Sequence, residues 1–149
     1  MKKTDYILAI ILGIIVLVMF AQVVFRYTLN NSLSWSEELA KYLFIWLCFL
    51  GAAVGIRDRI HIGVDFLADR LTEKWKQYLE LFNIFLITGF CGIIAAVGFL
   101  WVFKTSGTLS PAIRLPLNIA FYAALPTASL LSVVYGIIRI TEDIKKMKN

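Results

Sequence analysis

The chain has 149 residues, of which 60% are hydrophobic, with a mean hydropathy of +0.78 and a net charge of +5. That length allows a single domain, and that apolar content excludes an ordinary soluble globular protein. The cations sit at the ends of apolar runs, not in one basic patch, which excludes a nucleic-acid binder.

Four runs, Tyr6–Phe25, Leu39–Ile56, Tyr78–Phe103 and Ile119–Ile140, are long enough to cross a bilayer core, which takes about 20 apolar residues. They predict an all-α membrane protein with residues 1–149 in one integral domain, a small four-helix bundle. Eleven of the 15 Lys and Arg residues precede span one, lie between spans two and three, or end the chain. The positive-inside rule then places both termini in the cytoplasm. Lys2-Lys3 and the run after them resemble a secretory signal, but the run is long and no small-x-small site follows it, so no cleavage is expected.

Span one is apolar nearly all round, interrupted only by Gln22, and Arg26 and Tyr27 mark its end. It is expected to face lipid. Ser34 reads as an N-cap with Glu37 three residues on, the spacing of a capping box that opens span two. Glu37 and Glu38 suit the positive end of the helix dipole, and Lys41 is placed to pair with either. With Trp35, Tyr42 and Trp46 they make an acidic, aromatic lip. Gly51 and Gly55 form a GxxxG step that lets a neighbouring backbone approach closely.

A basic lip follows, with Arg57, the only histidine, His61, and Asp65. A helix that merely faces lipid has no need of such crowded ends, so Ser34 to Asp65 reads as a surface that meets another protein. A lone histidine cannot build a metal or haem site; His61 is expected to bond Asp58, Asp65 or a partner. Val64, Leu67, Ala68, Leu71 and Trp75 share a face and predict a short amphipathic helix on the membrane surface between spans two and three.

Span three is expected from about Thr72, a possible N-cap, to Phe103. About 30 residues at 1.5 Å each exceed the hydrocarbon thickness, so it must tilt or protrude. Glu80 lies near an interface and can pair with Lys76. The loop from Lys104 to Asn118 carries Pro111 and Pro116 and faces outward. In span four, Ala120, Ala124, Ala128, Ser132 and Gly136 recur at every fourth residue as a small-residue ridge for helix packing. Pro126 should kink that span, with Thr127 or Ser129 taking up the freed carbonyl. Cys48 and Cys91 read as buried apolar-like side chains.

No span carries a central carboxylate, histidine or lysine, as a proton-driven exporter would need. There is no haem-ligating histidine pair and no nucleophile–base pair. No cofactor, metal or catalytic residue is expected; the pattern points to a subunit.

The order Arg26-Tyr27, Trp35-Ser36-Glu37-Glu38, Lys41-Tyr42-Leu43-Phe44, Trp46, Gly51-Ala52, Arg57, His61-Ile62 and Val64-Asp65, with Leu115-Pro116, Tyr122 and Leu125-Pro126, resembles the small membrane subunit (the Q or DctQ-type component) of tripartite ATP-independent periplasmic transporters, the TRAP family. The likeness covers all four spans and departs at Leu71-Thr72, where Leu-Pro is expected. It implies a non-enzymatic subunit of the bacterial inner membrane. Its partners would be membrane lipids, a large M-type membrane subunit and a periplasmic P-type substrate-binding protein. The assembly would import a carboxylate solute (sialic acid, another sugar acid or a C4-dicarboxylate) on a sodium gradient. The small subunit would brace the large one, with the two lips setting depth and register.

Overall fold

In the computed structural model, the structure describes residues 3–28, 33–58 and 73–148. The chain folds as four long helices: α1 (Lys3–Thr28), α2 (Ser34–Arg57), α3 (Glu73–Lys104) and α4 (Ala124–Lys148). All four are long and apolar enough to cross a membrane. Each runs past its apolar stretch, because a helix is the cheapest way to satisfy backbone groups through the interfacial layers as well as the hydrocarbon. The expected surface helix, Thr72, His61 and Asp65 lie outside the described residues.

The helices make an open row in the order α1, α2, α4, α3, not a closed bundle. Among the described residues, no close backbone approach joins α1 to α3 or α4, or α2 to α3. Contacts between known positions set the directions. Gln22 meets Glu37 and Arg57 meets Asp5, so α1 and α2 are antiparallel. Glu38 meets Ala112 and Arg139 meets Ile56, so α2 and α4 run parallel. One end of the row is basic, with Arg57, Arg139 and Lys145; the other is the turn end, with residues 105–117.

The tightest seam joins α3 to α4. Small residues let these backbones close in where lipid offers no hydrophobic gain. A Cβ on Gly98 would lie 2.9 Å from the Pro126 Cβ, and a Cβ on Gly136 would collide with Thr88. Ala124, Ala128, Ser132 and Gly136 are buried along α4, and Ala120 is half-buried ahead of them. Ile84 on α3 and Ala53 on α2 are almost fully enclosed. By contrast α1 exposes apolar side chains along most of its length, Leu17 and Phe20 among them.

Span four opens with a π-helical turn, Asn118–Tyr122, and runs on through Ala123, itself in the right-handed helical region, into α4. Pro126 lies just past that junction, where a proline removes one backbone donor. Thr127 donates its hydroxyl to the Ala123 carbonyl at 2.7 Å and to that of Ala124 at 3.1 Å.

Candidate partner interface

At the turn end, the local sequence folds residues 105–117 back on themselves. Leu109 and Pro116 pair as a single antiparallel bridge. The Ser110 N–H donates to the Leu115 carbonyl at 2.8 Å, and the Leu115 N–H returns a bond to Ser110 Oγ at 3.1 Å. Arg114 takes a left-handed φ of 57°, which costs a non-glycine residue some strain. Two successive N–H groups, Ala112 and Ile113, converge on Glu38 Oε2 at 2.9 and 2.8 Å. The other carboxylate oxygen, Oε1, accepts the Tyr42 hydroxyl at 2.6 Å. Glu38 is only 6% exposed. A buried carboxylate is tolerable because its acceptors are filled by donors from two segments.

Glu37 faces the other way and accepts from Gln22 Nε2 at 2.6 Å, tying α1 to α2. The expected capping box does not form. Leu33 is the N-cap, Ser34 is the first helical residue, and no side chain caps the helix. Ser36 instead donates its hydroxyl to the Leu33 carbonyl at 2.7 Å. With Glu37 and Glu38 bound elsewhere, no ion pair joins either to Lys41 among the described residues; Lys41 is exposed. Trp46 donates its indole N–H to the Ala120 carbonyl at 3.0 Å, using an acceptor in the π-helical turn.

At the basic end, Arg57 bonds Asp5 at 2.6 Å, Asp58 at 2.7 Å and Thr4 at 3.1 Å. Thr4 and the Tyr135 hydroxyl lie 3.3 Å apart, bridging from α1 to α4. Arg139, also buried, reaches the Ile56 carbonyl at 3.3 Å and lies 3.8 Å from Asp143. Asp5, Ser110, Tyr135 and Arg139 were not singled out in sequence, and Gln22 was marked only as the polar break in span one. Gln22 and Arg139 had a signal, since each is a polar group in or beside an apolar run. The others depend on which helices meet.

The sequence-predicted interface residues therefore divide. Glu38, Tyr42, Trp46 and Arg57 turn inward and hold the chain together. Trp35, Ser34, Lys41 and Arg26 are exposed. A Cβ on Gly51 or Gly55 would meet nothing within 4 Å among the described residues, so no described segment packs closely on that step. Phe44 and Ala52 are exposed on the same side of α2, and so is Cys48, which the sequence reading expected to be buried. The row thus presents an open strip on α2, with Lys41 and Phe44 toward the turn end and small residues in its second half.

The sequence profile described as "Tripartite ATP-independent periplasmic transporters, DctQ component" matches residues 15–146. The chain belongs to this family. It is 26% identical to a Haemophilus influenzae protein with a TRAP small-permease name, over 89% of this chain and 83% of that one. It is 35% identical to the C4-dicarboxylate TRAP transporter small permease protein DctQ of Rhodobacter capsulatus, over 74% of this chain and 52% of that one. An isethionate TRAP transporter permease protein, DctMQ, of Oleidesulfovibrio alaskensis is 30% identical over 85% of this chain but only 21% of its own length. The chain thus spans most of the first relative, about half of the second and a fifth of the third. As a TRAP small permease component it is a multi-pass membrane subunit, not an enzyme.

Proposed function

We propose that this subunit braces the large membrane subunit of a sodium-driven, binding-protein-dependent importer, and that the open strip on α2 is where the two meet. The observation that carries this reading is the pair Gly51 and Gly55, which leave a shallow bed on α2 that none of the described residues fills. Steps of this kind seat another helix in the bilayer. Trp35, Lys41 and Arg26, exposed at the turn end, then fix depth and register. An open row one helix thick supports the reading too, because it offers broad apolar faces to a larger companion. The long DctMQ relative supports a permanent partner, since this chain matches only a fifth of it.

In this reading both termini and the basic end face the cytoplasm, in keeping with the distribution of the eleven cations. The turn of residues 105–117 then faces the periplasm of a bacterial inner membrane, where it is placed to meet the binding protein. The solute in this reading carries a carboxylate, in keeping with relatives named for C4-dicarboxylate and sialic acid. Another relative is named for isethionate, a sulfonate, so the choice among organic anions belongs to the other components.

The test is Gly51→Leu with Gly55→Leu. A Cβ at either position has open space among the described residues, so the subunit should reach the membrane in normal amounts. Recovery of the large subunit by co-purification should fall about tenfold, the loss of one close helix contact. Full co-purification and full uptake by this variant would sink the assignment of the strip.

A further inference from the structure

A second surface feature lies at the basic end, on the far side of the row from α1. A groove between α3 and α4 is lined by Tyr78, Leu81, Phe82 and Phe85 from α3 and by Ile140 and Ile144 from α4. Its walls are almost wholly apolar, and Phe82 and Phe85 are 61% and 67% exposed. Lys145 follows Ile144 directly and is exposed. A hydrocarbon slot therefore opens next to an exposed cation at the basic end of the row.

We propose that this groove is a binding site for an anionic phospholipid. One acyl chain lies along the two phenylalanines, and the phosphate sits beside Lys145. An apolar groove in a bilayer accepts any acyl chain, so the slot alone confers no choice. The choice comes from charge: a headgroup without its own cation is favoured by a neighbouring lysine, which contributes about five-fold near the surface. Tyr78, at the headgroup end of the slot, has an amphipathic ring suited to that depth. A bound lipid would seal the α3–α4 seam at the edge of the row.

Native mass spectrometry of the full chain released from detergent tests this, with added cardiolipin, phosphatidylglycerol or phosphatidylcholine. The two anionic lipids should stay bound at collision energies that strip phosphatidylcholine. Lys145→Gln should weaken anionic binding about five-fold and leave phosphatidylcholine unchanged, whereas Lys145→Arg should retain it. Phe82→Ala with Phe85→Ala should weaken all three lipids; both rings are exposed, so the fold should not suffer. Equal retention of the three lipids, or no effect of Lys145→Gln, overturns the proposal. So does a photo-crosslinker at position 82 that captures protein in native membranes, since that outcome gives the groove to a protein partner.

Discussion

Glu38 shows how one side chain can hold a turn against a helix. Its two oxygens accept three described bonds, from Tyr42, Ala112 and Ile113. Glu38→Ala leaves two part-buried N–H groups and the buried Tyr42 hydroxyl without their acceptor and should cost about 2–3 kcal/mol. The measurement is thermal unfolding in detergent, combined with protease cutting at residues 105–117, which should quicken. Glu38→Gln keeps one carbonyl acceptor and should fall between that variant and the native protein. If Glu38→Ala unfolds like the native chain, the clamp contributes nothing. The sequence marked Glu38 but put it on a lip for a partner. Its true acceptor role depends on two backbone groups about 75 positions away, and no local pattern announces them.

At the scale of the elements, helix existence was legible and helix detail was not. The four apolar runs map onto α1 to α4 because any backbone left in hydrocarbon must bond to itself. The capping box failed because the residues that could cap α2 found better partners: Glu37 in Gln22 and Glu38 in the turn. The π-helical turn ahead of Pro126 was not legible either, because an apolar pattern does not tell an α-helical register from a π-helical one. Pro126 is fully buried and its ring packs against Gly98. Pro126→Ala therefore removes packing at the α3–α4 seam and should lower stability by about 1–2 kcal/mol, read by thermal unfolding. Unchanged unfolding would show that the ring adds nothing to the seam. The same close approach makes a large side chain at 126 or 98 damaging.

For the whole molecule, the open row is what makes this chain a subunit. Its polar side chains gather at the two ends, where they join neighbours: Gln22 to Glu37 and Glu38 to the turn at one end, Arg57 to Asp5 and Arg139 to Ile56 at the other. The middle is left apolar and thin. Helix α1 is the most loosely held member, since it packs closely on α2 alone. Arg57→Gln should therefore loosen α1 first. Hydrogen exchange should rise in residues 3–8 and at the end of α2, while the α3–α4 seam stays protected. Uniform loss of protection over all four helices would show that the row unfolds as one unit and that Arg57 is no local clasp.

Composition and the spacing of apolar residues were enough to establish four spans, their lengths, the charge asymmetry across them and the small ridge on α4. Those properties follow from solvation and helix period, and both act over neighbouring residues. The ordering α1, α2, α4, α3, the inward turn of Glu38, Tyr42, Trp46 and Arg57, and the lack of a described neighbour over Gly51 and Gly55 were decided only in three dimensions. In a bilayer every helix face is apolar, so hydrophobic pattern cannot choose neighbours. That choice falls to close backbone approach and to polar bonds between residues far apart in the chain.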